Sequence, residues 1–288
     1  MKKIIKYIIY YLVPVKIFLK IKFKKKVGYK LNLNHPKSFN EKLQWLKLND
    51  RKSIYTQMVD KYMVRKYIAE SIGEKYLIPL LGVWNNFEEI NFNKLPDQFV
   101  LKCTHDSGSI RICKDKSNFD INEAKNFFNK KLKENFYYFG KEWPYKNVHP
   151  RIIAEEFIED ESSKDLKDYK FMCFNGNVKC CFVCSERFST HLKVTFYDTE
   201  WNKLPFERHY PNSEEEIPKP KNLEKMIQLA EKLSINIPFV RVDFYEVNNM
   251  IYFGELTFFP GCGFEEFKPI EWDYKLGEWI DLSSSKKD

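Results

Sequence analysis

Residues 239–258 read FVRVDFYEVNNMIYFGELTF and describe two strand-like runs around Asn248 and Asn249. Phe, Val, Tyr and Ile fill both runs, so the segment predicts a largely buried β-hairpin. Four polar residues stand among them: Arg241, Asp243, Glu255 and Thr257. A charged group that points into such a core needs an ionic partner or a metal ion. The hairpin is therefore the first candidate for a functional segment.

Whether these polar side chains share one face depends on the turn. A strict two-residue loop pairs Val247 with Met250 and sends Asp243 and Glu255 to opposite faces. A bulge or a loop of odd length brings both carboxylates to the same face, which a functional site requires. The alternative is an edge hairpin with one solvent-facing polar side, and the spacing alone leaves both arrangements open.

A second polar segment follows the predicted strand at residues 98–104, QFVLKCT. Lys102 lies near its end, and the loop after it contains hydroxyl-bearing, acidic, histidine and glycine residues: Thr104, His105, Asp106, Ser107, Gly108 and Ser109. Ammonium groups, hydroxyls and exposed backbone amides all donate hydrogen bonds to phosphate oxygens. The segment predicts a phosphate site, in which His105 and Asp106 either bind an acceptor or only order the loop.

The rest of the chain alternates helical and strand patterns. Residues 38–41, SFNE, match a capping box, and one helix is predicted over residues 54–71 with Gly73 as its stop. Further helices are predicted over 121–137 and 222–234, a strand over 151–158, and a hairpin around Asn175 and Gly176. These elements predict one interleaved α+β unit without repeats.

The charge is distributed unevenly along the 288 residues. Lys and Arg number 48 against 40 Asp and Glu, for a formal net charge of +8. Residues 1–30 hold ten Lys and no other charged residue, so they carry +10 and leave −2 for the remainder. A nucleic-acid binder spreads its basic groups over a folded face, which argues against nucleic acid as a partner. The glycines form neither a dinucleotide-binding fingerprint nor a P-loop.

The basic arm at residues 1–30 has two interpretations. Its apolar run is interrupted by Lys6, Lys16 and Pro14 and lacks a small-residue cleavage site, so neither a signal peptide nor a membrane span is indicated. It fits a helix on an anionic membrane surface, or a first helix packed on the domain with a solvated basic edge. The predicted domains are this arm and a catalytic domain over residues 31–288.

Cysteine usage bears on the compartment. Seven cysteines, an odd number, favour a reducing cytoplasm, and Cys181 and Cys184 are interpreted as buried strand residues rather than half of a zinc site. The predicted location is cytoplasmic, on the inner face of the plasma membrane if the arm binds lipid.

The order of the motifs resembles a known series. From residue 30 to 282 the chain is similar to ATP-grasp proteins, and closely to the TupA-like branch associated with teichuronopeptide and capsular polysaccharide synthesis. The similar segments are SFNEKLQWLKL, DKYMVRKYI, IGEKYLIPLLGVW, LPDQFVLKCTHDSG, EFI, DYKFMCFNG, RVDFY and YFGELTFFPGCGF. The resemblance implies an α+β ATP-grasp fold, in which two α+β lobes grip ATP between antiparallel sheets.

The resemblance also implies an ATP site. Lys61 and Lys102 correspond to phosphate-binding lysines, residues 106–109 to a loop that closes on the phosphates, residues 155–158 to the adenine-binding hinge, and Asp168 to a ribose-binding acid. The implied ATP-binding residues are Lys61, Lys102, Asp106, Ser107, Gly108, Ser109, Glu155, Glu156, Phe157, Ile158 and Asp168.

A magnesium site and a catalytic set are implied in the same way. Asp243, Glu255 and Thr257 correspond to Mg²⁺ ligands, with Thr257 in place of an Asn and binding directly or through water. Arg241 lies where a cation stabilises the transferred phosphoryl group, and Lys102 and His105 complete the implied catalytic residues.

The implied activity is an ATP- and Mg²⁺-dependent carboxylate–amine ligase with an acyl-phosphate intermediate. Its expected partners are a uronic-acid-containing glycan or lipid-linked glycan acceptor and a small amine or amino acid. Two alternatives stay open: a glycosyltransferase of the same pathway, although the chain has no D-x-D motif, and a non-catalytic membrane-associated assembly factor.

Some residues keep two interpretations. Lys170 and Arg187 hold a phosphate or an acceptor carboxylate, or are solvated at the surface. Glu142, Trp143 and Tyr145 line a sugar site or belong to the aromatic core.

Overall fold

The structure, a computed structural model, describes residues 12–160, 166–185 and 192–283. The chain divides into two compact units. We call Met1–Arg51 with Leu166–Asp288 the discontinuous unit and Lys52–Asp165 the inserted unit. Each unit contains helices and an antiparallel sheet.

Within the described residues the helices, in chain order, are α1 (Val15–Val27), α2 (Phe39–Asn49), α3 (Ile54–Val59), α4 (Val64–Ser71), α5 (Ile121–Lys131), α6 (Tyr137–Gly140), α7 (Leu223–Leu233) and α8 (Glu271–Glu278). The strands are β1 (Leu80–Trp84), β2 (Phe99–Cys103), β3 (Ile110–Cys113), β4 (Ile152–Glu156), β5 (Asp168–Phe174), β6 (Asn177–Ser185), β7 (Lys193–Tyr197), β8 (Glu207–Arg208), β9 (Phe239–Val247), β10 (Met250–Thr257) and β11 (Phe267–Lys268).

The inserted unit is built on a four-stranded sheet with the order β1-β4-β2-β3, in which every pairing is antiparallel. Apolar residues alternate along β2, so that Phe99, Leu101 and Cys103 face the core beside Ala124 and Phe128 of α5. Lys102 occupies the other face of the same strand, because successive side chains of a strand point to opposite sides.

The prediction of one helix over residues 54–71 is wrong, since α3 ends at Val59 and α4 begins at Val64. The Asp60 carboxylate between them accepts hydrogen bonds from the backbone amides of Tyr62 (2.9 Å) and Met63 (3.2 Å). A short acidic side chain that accepts hydrogen bonds from nearby backbone amides competes with helical hydrogen bonding, and at Asp60 it interrupts the helix. Lys61 therefore lies in a turn between two helices.

The helix predicted over residues 121–137 is also shorter, because α5 ends at Lys131. Asn135 breaks the pattern: its side-chain oxygen accepts from the Tyr137 amide at 3.0 Å and its side-chain nitrogen donates to the Lys146 carbonyl at 3.0 Å. These contacts start the separate short helix α6.

The discontinuous unit contains a five-stranded antiparallel sheet with the order β10-β9-β5-β6-β7 and a two-stranded sheet of β8 and β11. The helix predicted over residues 222–234 is α7, and its buried side chains include Met226, Ala230 and Leu233. The capping box at α2 is confirmed, since the Ser38 hydroxyl accepts from the Glu41 amide and the Glu41 carboxylate accepts from the Ser38 amide.

Both predicted hairpins are present, each with a two-residue loop. Asn175 and Gly176 have φ of 50° and 85°, and Asn248 and Asn249 have φ of 49° and 65°. Two successive residues with positive φ give a turn whose twist matches that of the flanking strands.

The last hairpin combines the strict loop with a bulge. Val247 pairs with Met250 and Phe244 with Phe253, but Val242 then pairs with Leu256, so β10 has one extra residue at Gly254–Glu255. A Cβ at Gly254 would lie 3.2 Å from the Asp243 carbonyl oxygen, which favours glycine at this close approach. The bulge brings Asp243 and Glu255 to the same face.

Residues 15–27 of the basic arm form α1, which packs on the discontinuous unit. Its side chains Phe18, Leu19 and Phe23 are buried in one apolar cluster with Cys262 and Phe264. Residues 1–11 lie outside the described part of the chain, and the domain boundary after residue 30 stays a prediction. Among the described residues, no helix is both long and apolar enough to cross a bilayer.

We predict that Phe23→Ala lowers the free energy of unfolding by about 3–5 kcal/mol, because it removes a fully buried ring from this cluster. Ile21→Ala on the same helix is the control, since Ile21 is 64% exposed and its loss should change stability by less than about 0.5 kcal/mol. Urea unfolding measures both values, and equal small effects would show that α1 contributes nothing to the stability of this unit.

Candidate active site

The centre of the discontinuous unit's sheet holds a buried lysine between two carboxylates. Lys170 on β5 pairs with Asp243 on β9 in the ladder, so both side chains share one face. The Lys170 ammonium donates to Asp243 Oδ2 and lies 2.6 Å from Asp168 Oδ2. Lys170 is 6% exposed and Asp243 1%, so the solvated-surface interpretation of Lys170 is wrong.

Arg241 extends this contact to β10. Its Nε donates to Asp243 Oδ1 and its Nη2 to Asp243 Oδ2, both at 2.6 Å, and Nη2 also donates to Glu255 Oε1 at 2.7 Å. The Thr257 hydroxyl donates to the same Glu255 oxygen at 3.1 Å. We call Asp168, Lys170, Arg241, Asp243 and Glu255 the ionic cluster.

The cluster keeps both cations charged. Burial lowers the pKa of Lys170, but the nearby carboxylates of Asp168 and Asp243 outweigh it and raise that pKa above its ordinary value. Burial also lowers the pKa of Arg241, but the nearby carboxylates of Asp243 and Glu255 outweigh burial and raise that pKa above its ordinary value. Two cations face three carboxylates, so with every group ionised the cluster has one negative charge in excess.

Oxygen ligands on this face fit a hard divalent cation. Asp243, Glu255 and Thr257 offer carboxylate and hydroxyl oxygens, which Mg²⁺ prefers, and the excess negative charge favours a cation. Within residues 12–160, 166–185 and 192–283, no three His, Cys, Asp or Glu side chains form a ready metal cage. Because Mg²⁺ usually keeps several waters and takes only one or two protein carboxylates, the donor set still fits it.

A second cluster lies in the inserted unit. Lys102 on β2 and Arg65 on α4 both contact the Glu155 carboxylate on β4, at 2.6 Å and 3.0 Å. Arg65 also donates to the Ile78 carbonyl at 2.9 Å. Glu155 is 8% exposed, so its charge is neutralised by these two cations rather than by water.

The loop at residues 104–109 closes on itself beside Lys61. The Ser109 hydroxyl donates to Asp106 Oδ2, and the Lys61 ammonium donates to the Asp106 carbonyl. The Lys61 amide donates to the Thr104 carbonyl at 3.1 Å. Ser107 and Gly108 are exposed, with Gly108 at φ 88°. Asp106 Oδ1 is buried and has no hydrogen-bond partner among the described residues, which is unusual in a folded protein.

His105 lies inside this loop and is 2% exposed. One ring nitrogen, Nε2, is 3.1 Å from the Lys131 carbonyl at the end of α5, while Nδ1 is buried without a partner among the described residues. This contact with α5 is what the loop-ordering interpretation requires, and a catalytic role of His105 stays a prediction.

The predicted adenine-binding segment begins at the end of β4. The Glu156 amide donates to the Pro79 carbonyl at 3.0 Å and its side chain is exposed, while Phe157 and Ile158 are half-buried. The Lys114 ammonium lies 5.2 Å from the Phe157 ring centroid. The roles of these residues and of Asp168 toward ATP stay predictions.

The structure therefore brings the predicted residues together within each unit. Lys61 contacts Asp106, and Lys102 contacts Glu155, while Asp168, Arg241, Asp243, Glu255 and Thr257 share one face of the other sheet. Sequence reasoning missed Arg65, and it missed the central place of Lys170. The sequence DYKFMCF did contain a signal for Lys170, because the alternation of side chains along a strand puts Asp168 and Lys170 on one face.

Two other open interpretations have different outcomes. Tyr145 is 8% exposed and packs edge-on against Phe136 with ring centroids 4.8 Å apart, as expected for the aromatic core. Arg187 lies outside the described residues.

Comparisons with known proteins agree with the resemblance seen in the sequence. The family model for TupA-like ATPgrasp proteins matches residues 41–281, which confirms the suspected branch and the α+β ATP-grasp fold class. A comparison with curated proteins gives no match.

Solved structures give more distant similarities. A D-alanine–D-alanine ligase from Bacillus anthracis is 17% identical, over 69% of this chain and 56% of that chain, with a TM-score of 0.38. The structure of the same ligase in complex with ATP is 14% identical, over 92% of this chain and 82% of that chain, with a TM-score of 0.47. The D-alanine–D-alanine ligase from Helicobacter pylori is 14% identical over 85% and 67%, with a TM-score of 0.42. This chain thus spans little more than half of the first ligase, and the assignment rests on the family model.

The ionic cluster makes a stability prediction. Lys170→Met should lower the free energy of unfolding by about 3–5 kcal/mol, because it leaves Asp168 and Asp243 buried with one partner fewer. Lys179→Met is the matched control, since Lys179 is exposed on the adjacent strand β6 and should change stability by less than about 0.5 kcal/mol. Chemical denaturation of both variants tests this, and a Lys170→Met protein as stable as the control would contradict the cluster.

Proposed function

The chain belongs to the TupA-like ATP-grasp family, a branch of a superfamily of ATP-dependent ligases, and we propose that it is itself an ATP- and Mg²⁺-dependent carboxylate–amine ligase. In the first step a carboxylate oxygen of the acceptor attacks the γ-phosphorus of ATP, giving an acyl phosphate and ADP. In the second step an amine attacks the acyl carbon, the amide C–N bond forms, and phosphate leaves as the amine loses a proton.

The observation that carries this proposal is the ionic cluster on β5, β9 and β10. Arg241 is buried, charged and held at both Asp243 oxygens, which supports its proposed role as a fixed cation for the transferred phosphoryl group. Asp243, Glu255 and Thr257 would hold Mg²⁺, which neutralises phosphate charge when bound. Lys170 lies between Asp168 and Asp243 and offsets part of their negative charge.

The inserted unit supplies phosphate-binding groups in this proposal. Lys61 and Lys102 offer ammonium groups, and the exposed Ser107 and Gly108 offer a hydroxyl and backbone amides. Both lysines already have fixed partners in the Asp106 carbonyl and the Glu155 carboxylate, so their positions are set before a nucleotide arrives. Lys102 has to share its charge between Glu155 and a phosphate oxygen.

We propose that the carboxylate belongs to a uronic acid in a capsular or cell-envelope polysaccharide precursor, linked to a nucleotide, lipid or polymer. The amine is an amino acid or a simple amine. The family to which the chain belongs supports this choice of substrates, and a glycosyltransferase or a protein without catalysis would give a different result in the assay below.

We also propose that the protein works at the inner face of the plasma membrane, with α1 as its contact. Helix α1 has an outer side with Ile17 and Ile21, 50% and 64% exposed, beside the exposed lysines Lys20, Lys24 and Lys25. Apolar side chains flanked by lysines suit the surface of an anionic bilayer, where each basic residue contributes about 1 kcal/mol.

The ligase proposal predicts ADP release that requires a uronic acid, an amine and Mg²⁺ together, and that EDTA abolishes. Glu255→Gln should lower this rate at least about 100-fold, because it removes a proposed metal ligand. Glu278→Gln, an exposed change on α8, should leave the rate unchanged. A coupled ADP assay with mass spectrometry of the product measures the effect; full turnover by Glu255→Gln, or transfer from a UDP-sugar without ATP, would overturn the proposal.

The membrane proposal predicts co-sedimentation with phosphatidylglycerol-containing vesicles but not with pure phosphatidylcholine vesicles. Replacing both Ile17 and Ile21 with Ser should weaken binding several-fold without unfolding the protein, because both side chains are exposed. Ile235→Ser is the control, since Ile235 is 57% exposed elsewhere on the surface. Equal sedimentation of all three proteins would show that another surface binds the lipid.

A further inference from the structure

Arg208 is a buried arginine that the proposed reaction has not yet used. It lies on the two-residue strand β8 and is 6% exposed. Its guanidinium carbon is 5.0 Å from the ring centroid of Phe182 and 5.6 Å from that of Phe196. An arginine is costly to bury without partners, because its charge persists at every physiological pH.

The hydrogen-bond donors of Arg208 are poorly satisfied. Nε lies 3.0 Å from Glu265 Oε2, yet this contact lacks hydrogen-bond geometry. Neither Nε nor Nη1 donates a hydrogen bond to any residue of the described chain, although both atoms are buried. Arg241, by contrast, directs Nε and Nη2 at carboxylate oxygens. A buried charged donor without an acceptor calls for an explanation, and a ligand-binding role is one.

The position of Arg208 relates it to the ionic cluster. Arg241 lies over the same Phe182 ring, with its guanidinium carbon 5.7 Å from the centroid. The two guanidinium carbons are therefore no farther apart than the sum of their distances to that ring. Phe182 also pairs with Lys170 in the β5–β6 ladder, so the ring shares the face on which the cluster lies.

The chemistry of this place fits a carboxylate. The planar fork of a guanidinium binds two oxygens of a carboxylate or of a phosphate. Glu265 already brings a carboxylate to Arg208, and its side chain is 22% exposed against 7% for that of Arg208. An incoming carboxylate can thus reach Arg208 from the side of Glu265 and replace a contact that is geometrically poor.

We infer that Arg208 binds the carboxylate of the acceptor and holds it on the Phe182 face beside Arg241, with Glu265 as the group that the acceptor displaces. This inference rests on the proposed function, since it names the residue that receives the carboxylate to be phosphorylated. It involves binding only, and no bond is made or broken at Arg208.

The test measures binding of sodium D-glucuronate to the full-length protein without nucleotide, by isothermal titration, with D-glucose and inorganic phosphate as comparison ligands. We expect glucuronate to bind and glucose not to bind. Arg208→Gln should weaken glucuronate binding at least tenfold, while Mg-ATP, measured separately, binds as tightly as to the wild type. Tighter binding of phosphate than of glucuronate, or no binding of glucuronate, would contradict the inference.

Glu265→Gln separates a binding role from a structural one. If Arg208 only ties β8 to its surroundings through Glu265, both variants lose stability and neither changes glucuronate affinity selectively, which would overturn the inference. If Arg208 binds the acceptor, Glu265→Gln should bind glucuronate as tightly as the wild type or more tightly, because a competing carboxylate is removed. Failure of Mg-ATP to bind the wild type would instead count against the proposed function, whatever the glucuronate result.

Discussion

The contact on which the discontinuous unit depends is the pair of cations, Lys170 and Arg241, at the Asp243 carboxylate. Asp243 is almost fully buried, and a buried carboxylate without partners costs several kcal/mol. Three strands must be in register for the cluster to exist, because a slip of one residue turns every side chain to the opposite face. The same contact therefore fixes the sheet and holds the cation that we propose for the phosphoryl group. Stability and the proposed chemistry share one set of atoms.

Local patterns predicted much of this fold. The capping box at Ser38, both hairpin turns and α7 follow from short-range signals, and all are present. Such signals did not predict the register of the last hairpin, because the bulge between Phe253 and Leu256 is separate from the two-residue loop. The break at Asp60 was missed for a related reason: a side chain that caps its own turn competes with helical periodicity.

Charged contacts across the fold were harder to predict than elements. The residues for the candidate site were named from the sequence through resemblance, but their partners were not. Glu155 binds Lys102, which is 53 positions away, and Arg65, which is 90 positions away. Arg65 carries no motif of its own, and Lys170 was as compatible with solvent as with a buried pair. The contacts of Glu155 arise only when β2, β4 and α4 pack together, and that of Lys170 with Asp243 only when β5 and β9 pair, so no local signal reveals them.

In the proposed reaction, an oxygen of the acceptor carboxylate becomes bonded to phosphorus. A uronic-acid acceptor labelled with ¹⁸O in its carboxylate tests this directly, when it is turned over with ATP and an amine and the released phosphate is weighed by mass spectrometry. We expect one ¹⁸O atom in each phosphate released with amide product, because amine attack leaves that oxygen on phosphorus. Amide product accompanied by unlabelled phosphate would contradict the acyl-phosphate route.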